Sequence, residues 1–174
     1  LDAGITLFDT ADIYGPDNGE GFGASEALLG RVFAADAGLR GKMVLATKGG
    51  IRMGVPYDSS SAYISEAVDA SLKRLGVDHV DLWQIHRPDL LAHPAEVAEA
   101  LDRIVASGRA RAVGVSNFTP AQVSALTSYL ETPLASIQPE FSALASKPLF
   151  DGTFDQAMQM GLAVLAWSPL GQGR

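Results

Sequence analysis

Four residues of this sequence have the types needed to move a proton onto an oxygen: Asp9, Tyr14, Lys48 and His86. Asp9 stands where the apolar, β-branched run Ile5 to Phe8 ends, so a short buried strand is expected to deliver a carboxylate at its tip. Tyr14 follows in a turn with Gly15 and Pro16, from which its hydroxyl can face back toward that tip. Lys48 closes the run Met43 to Ala46 ahead of Gly49-Gly50, and His86 closes Val80 to Ile85. A free tyrosine, with a pKa of about 10, is a poor acid or base near neutrality. A nearby ammonium favours the phenolate and lowers that pKa, while a carboxylate keeps the ammonium charged. The expected arrangement has Asp9 positioning Lys48, Lys48 tuning Tyr14 downward, and His86 orienting and polarising a carbonyl oxygen. The group holds neither a nucleophile nor an electron source, which fits reduction of a carbonyl by a separately bound hydride donor with Tyr14 supplying the proton.

A second set suits that donor. Ser116, Asn117 and Gln138 offer hydroxyl and amide groups able to hold a carboxamide, and Trp167 offers a flat face to an aromatic ring. Gly171 and Gly173, after Ser168-Pro169-Leu170, let backbone N–H groups come close to phosphates. The set is coherent with a nicotinamide dinucleotide without establishing one.

What must position these groups is an alternation of strands and helices. Strand-like runs are Ile5 to Phe8, Met43 to Ala46, Val80 to Ile85, Ala112 to Val115, the weaker Ser136 to Gln138, and Ala163 to Ala166. Between them the spacing predicts helices. One starts near Ser25, after the glycine-rich loop Gly15 to Gly23; another carries Ile64, Val68, Leu72 and Leu75 up to a stop at Gly76. A third runs from Pro94 to Gly108, a fourth has Thr119-Pro120 at its start and reaches Leu130, and a fifth spans Phe154 to Met160. Ile51 to Ser61, broken by Gly54 and Pro56, reads as a loop. Such alternation implies right-handed βαβ units on a parallel sheet. The polar candidates all fall at C-terminal strand ends, spread over several strands, which is where a (β/α)8 TIM barrel builds its site; an open doubly wound sheet would gather them at one switch point.

The chain has 174 residues, 47% of them hydrophobic, with no internal break in composition, so a single domain with a sizeable core is expected over 1–174. A net charge of −7 argues against nucleic acid or an anionic membrane as the main partner, leaving a small molecule. The absence of cysteine excludes thiolate chemistry and disulfides. No apolar run is long enough to span a bilayer and none reads as a signal peptide, so the expected location is cytoplasmic.

The stretches Gly4 to Gly15, Thr47-Lys48, Asp81 to Asp89, Gly114 to Phe118, Gln138 and Trp167 to Leu170 resemble the aldo-keto reductase family in order and spacing, over essentially the whole chain. The His86-Arg87-Pro88-Asp89 form and the ending Trp167 to Gly171 are more similar to its bacterial oxidoreductase branch. The resemblance implies an NADPH-dependent barrel of which about strands 2–7 are present. It makes Tyr14 the general acid with Asp9, Lys48 and His86 as partners. It assigns Ser116, Asn117 and Gln138 to the nicotinamide amide, Trp167 to stacking on its ring, and Ser168, Leu170 and Gly171 to the pyrophosphate path, with Asp9 and Pro169 beside the cofactor. NADPH rather than NAD rests on that resemblance alone, because the segment that reads the 2′-phosphate in the family is not in the sequence. The missing first strand and everything after the seventh lead us to expect a longer natural protein.

His79 precedes its strand and His93 lies beyond the following loop, so no metal site is expected with His86. Gly19, Gly21 and Gly23 fail the dinucleotide fingerprint, since Glu26 stands where its last glycine belongs. Trp83 is read as packing, and Asp12 and Asp81 as structural. A non-catalytic nucleotide-binding redox sensor is the alternative function, and a Schiff-base aldolase through Lys48 a remoter one.

Overall fold

In a computed structural model, which describes residues 1–15, 19–55 and 57–173, the chain forms six parallel strands and five α-helices. Pro16 and Pro56, expected in turns, and part of the glycine-rich loop lie outside the described residues. The strands are β1 (Leu7–Asp9), β2 (Val44–Gly49), β3 (Val80–Ile85), β4 (Ala110–Ser116), β5 (Leu134–Gln138) and β6 (Ala163–Val164). The helices between them are α1 (Ala24–Ala35), α2 (Ser61–Leu75), α3 (Pro94–Ala106), α4 (Pro120–Thr127) and α5 (Thr153–Met160). Each strand pairs in parallel with the next in sequence, giving the order β1-β2-β3-β4-β5-β6. That order never reverses, so no switch point exists; the sheet is a curled part of a (β/α)8 barrel, as expected.

Local chemistry sets the helix ends. The Ser60 hydroxyl accepts from the Tyr63 N–H to start α2, and Gly76, at φ 65°, closes it in the left-handed conformation that glycine adopts without strain. Thr119 and Gln122 cap α4 reciprocally. His93 caps α3 by accepting from the Ala95 N–H, which gives that histidine a structural task away from any metal. Among the described residues no cluster of potential metal ligands occurs, and no helix is long and apolar enough to cross a membrane.

Side chains alternate along each strand, and this divides the chemistry from the core. Leu45, Trp83, Ile85, Val113, Val115 and Ile137 point to the helices and pack with Ile64, Val68, Leu101 and Ile104. Trp83, fully buried, is core, as its strand predicted. The opposite parity carries Asp9, Lys48, Gln84, Ser116, Ser136 and Gln138. Register then aligns Lys48 with Gln84 and Ser116 with Gln138. Gly114 lies between Gln84 and Ser136, and a Cβ there would fall 2.1 Å from the Ser136 hydroxyl. Its bare backbone makes room for that hydroxyl to donate to the side-chain Oε1 of Gln84 at 3.2 Å.

The two outer strands differ from expectation. The buried strand expected over Ile5 to Phe8 is Leu7–Asp9, with Ile5 64% exposed and Leu7 37% exposed; the one expected over Ala163 to Ala166 shrinks to two exposed residues. Each pairs on one side only, so neither is enclosed as β2 to β5 are.

Candidate active site

The strand tips converge. Lys48 is fully buried, and its Nζ donates to Asp9 Oδ2 at 2.5 Å and to the Thr10 carbonyl at 2.8 Å. Gln138 Nε2 donates to the same Asp9 oxygen at 3.1 Å, and Gln84 Nε2 reaches Asp9 Oδ1 at 3.5 Å. Lys48 Nζ stands 5.2 Å from the centroid of the Tyr14 ring, whose edge meets the His86 ring at 5.7 Å between centroids. Asp9, Tyr14, Lys48 and His86, from three strand ends and one loop, therefore meet as anticipated.

Their electrostatics differ from the anticipated scheme in one respect. Burial, and after it the Asp9 carboxylate, push the Tyr14 phenol above its ordinary pKa, with Arg87 pulling the other way. Lys48 is not the group that lowers it: that ammonium is held against Asp9, and the downward pull comes from Arg87. Burial also pulls Lys48 below the ordinary lysine value, opposed by the charge and hydrogen bond of Asp9. Tyr14 is thus a neutral phenol near pH 7, a proton donor in waiting. His86 is pulled down to about 3, by burial first and then by the Lys48 and Arg87 charges. It is a neutral imidazole, and its Nδ1 is buried with no partner among the described residues.

Next to this group lies an open hollow of about 340 Å³ lined by Tyr14, His86, Arg87, Ser116, Asn117, Gln138, Trp167 and Ser168. Asn117 follows the last residue of β4 with φ 61°, unusual for a side-chain-bearing residue, and its hydrogen bonds account for the pose. Its Nδ2 donates to the His86 carbonyl at 3.0 Å and to Ser116 Oγ at 2.9 Å, while its Oδ1 accepts from Trp167 Nε1 at 3.0 Å. Ser116 Oγ donates in turn to the Gln138 carbonyl at 2.8 Å. One network thereby fixes the histidine strand end, the amides and the indole. Ser116 and Asn117 have spent their donors in this network and keep acceptor lone pairs, the chemistry that suits the NH2 of a carboxamide. Gln138 keeps one N–H and its side-chain oxygen uncommitted to described residues, and part of the Trp167 surface is open. Ser168 turns at φ 50° at the hollow's rim; Pro169, Leu170 and Gly171 lie beyond it on an exposed turn closed by the Gly171 N–H to the Ser168 carbonyl at 2.9 Å.

Three contributions escaped the sequence reading. Gln84 is buried in the middle of β3 and touches Asp9; the only signal was a polar residue at inward parity in an apolar strand. Arg87 lines the hollow directly after His86. Glu26 is fully buried on α1, accepting from Thr47 Oγ1 at 2.5 Å and from Arg74 Nε at 2.6 Å, so an ion pair between α1 and α2 holds the residue before Lys48. Asp81, expected to be structural, accepts from the Leu45 N–H and pairs with Arg40 and Arg111. Asp12 is buried with both carboxylate oxygens unpartnered among the described residues, and burial, then Glu26, raise it to about 7.

A model of the Aldo/keto reductase family matches residues 1–174. The chain belongs to that family. It is 59% identical to a 6-dehydroglucose reductase of Novosphingobium aromaticivorans, over all of this chain and 57% of that protein. It is 42% identical to a 6-dehydroglucose reductase of Agrobacterium fabrum, over 99% of this chain and 59% of the relative. A solved glycerol dehydrogenase from Gluconobacter oxydans superposes with a TM-score of 0.87 at 36% identity, over 99% of this chain and 52% of that one. The chain thus spans between half and three-fifths of the length of these relatives.

Proposed function

We propose that the protein reduces an aldehyde or ketone to an alcohol, using NADPH. The observation that carries this is the convergence of a neutral Tyr14 phenol, a neutral His86 and the Asp9–Lys48 pair beside a hollow lined with the hydroxyl and amide groups of Ser116, Asn117 and Gln138. A bound nicotinamide nucleotide supplies the hydride. Ser116, Asn117 and Gln138 would hold its carboxamide, Trp167 would stack on its ring, and Ser168, Leu170 and Gly171 would line the path of its phosphates.

The chain's own residues handle the proton. As negative charge grows on the carbonyl oxygen, Tyr14 gives that oxygen its phenolic proton. His86, donating an N–H as a neutral imidazole, orients the same oxygen. The nascent phenolate is eased by the Arg87 guanidinium, the charge that pulls the Tyr14 pKa down, while Lys48 stays committed to Asp9. The raised phenol pKa prevents loss of the proton to solvent before the carbonyl arrives. Two relatives named as 6-dehydroglucose reductases support an oxygen-rich, sugar-derived aldehyde as substrate.

Deuteride transfer tests the proposal. NADPH labelled with deuterium at the reactive ring carbon is mixed with the protein as its gene encodes it and a sugar aldehyde. Mass spectrometry should find one deuterium in the alcohol product. An unlabelled alcohol, or none, would refute the reading.

A further inference from the structure

Arg87 lines the same hollow as Tyr14 and His86, directly after the histidine, and it is half-buried. Among the described residues it forms no ion pair and no side-chain hydrogen bond, whereas Lys48, the other cation at the site, is committed to Asp9 and the Thr10 carbonyl. Its charge is felt at both neighbours, pulling Tyr14 and His86 toward lower pKa. Arg87 also borders a second hollow, of about 310 Å³, that continues past Asn117 and Phe118 toward Glu140 and Thr153. It therefore stands at the junction between the reacting centre and the space where the rest of a substrate would extend.

A guanidinium carries five N–H donors in a planar fork, and a half-buried one with no partner among the described residues is free to exchange its solvent for the oxygens of a ligand. The other groups around the first hollow, Ser116, Asn117, Gln138 and Ser168, are uncharged hydrogen-bonding side chains. Beyond Arg87 the second hollow carries two carboxylates, Glu140 and Asp151, against one ammonium, Lys147, and Asp9 adds a carboxylate beside Tyr14, so the walls offer an anionic tail no excess of positive charge. A guanidinium whose neighbouring ammonium groups, Lys48 and Lys147, are matched by Asp9, Glu140 and Asp151 suits hydroxyl oxygens better than a carboxylate or phosphate.

Resting on the carbonyl-reductase reading, we infer that Arg87 is the specificity-determining residue, donating its N–H groups to the hydroxyls of a neutral polyhydroxylated aldehyde and so presenting the carbonyl to Tyr14 and His86. A site built to hydrogen-bond hydroxyls rejects an analogue lacking them far more strongly than an apolar pocket rejects an added one.

The test compares wild type with Arg87→Met, which keeps an unbranched stem and removes every donor, in the protein as its gene encodes it. Three aldehydes of similar length are used: polyhydroxylated, alkyl, and carboxylate-bearing. Wild type should favour the polyhydroxylated aldehyde over the alkyl one by roughly 10-fold or more in kcat/KM. In Arg87→Met that ratio should fall by about 10-fold or more, mostly through KM. Equal losses on the polyhydroxylated and alkyl aldehydes, or a loss confined to the carboxylate-bearing one, would overturn the inference. Calorimetric titration of the polyol product into each protein reads the same contact without turnover. Weaker polyol binding in Arg87→Met supports it and unchanged binding overturns it, even if wild type reduces no aldehyde and the reductase reading itself fails. Arg87→Lys, which keeps the charge but not the fork, should recover only part of the polyol preference; full recovery would assign the effect to charge and overturn it.

Discussion

Lys48 Nζ lies 2.5 Å from Asp9 Oδ2, in a pocket where the lysine is wholly hidden from solvent. The pair binds β1 to β2 at their C-terminal tips and decides what charge the neighbouring phenol experiences. A buried ammonium without that carboxylate would be strongly disfavoured, since burial alone pulls its pKa down. Asp9→Asn should therefore let Lys48 lose its proton at lower pH than in wild type. NMR titration of the lysine side-chain carbon should show the shift, and kcat/KM should fall by about 100-fold or more. An unmoved lysine titration would mean that Asp9 does not sustain the charge.

His86 makes the acid side of the stability profile predictable. Its folded pKa of about 3 lies below the ordinary value of 6.5, so the unfolded chain binds the proton first. The stability associated with neutral His86 is complete above about pH 6.5 and is lost as pH falls from there toward 3. His86→Gln should flatten this part of a plot of Tm against pH. An unchanged slope would show that His86 is not held neutral.

Asp12 has the opposite sign of dependence. Its folded pKa of about 7 lies above the ordinary 3.8, so the folded chain holds the proton longer and stability falls as pH rises through that window. Asp12→Asn should raise Tm by several degrees at pH 8 and change it little near pH 4. Equal Tm at pH 8 would mean that the carboxylate has found a partner.

The buried pair of Glu26 and Arg74 should position Lys48 through Thr47. Glu26→Gln weakens the charge-assisted bonds to both, and melting should come several degrees lower with an accompanying loss in kcat. Retained kcat at lowered Tm would confine the pair to a structural role.

Much of this was legible in the sequence because strand-end polar residues in a barrel face one site whatever their separation along the chain. Asp9, Lys48, His86, Ser116 and Gln138 follow from runs of apolar residues and where each run stops. Gln84 did not, because a mid-strand residue declares its face only once the register to Lys48 and Gly114 is known. The direction of the Tyr14 shift also lay out of reach: it depends first on how deeply the ring is buried and then on the Asp9 charge beside it, neither of which a turn sequence declares. The exposure of Ile5 and Val164 follows from pairing on one side only, which the apolar character of each run does not reveal.

The central claim is that Tyr14 delivers the proton in a carbonyl reduction. Its most direct measurement is single-turnover NADPH oxidation by wild type and Tyr14→Phe with the same sugar aldehyde, alongside NADPH affinity. The phenyl ring keeps the packing against His86 and removes only the donor. The rate should fall by about 100-fold to 10,000-fold while the nucleotide binds as before. A variant that turns over within a few-fold of wild type would contradict the account.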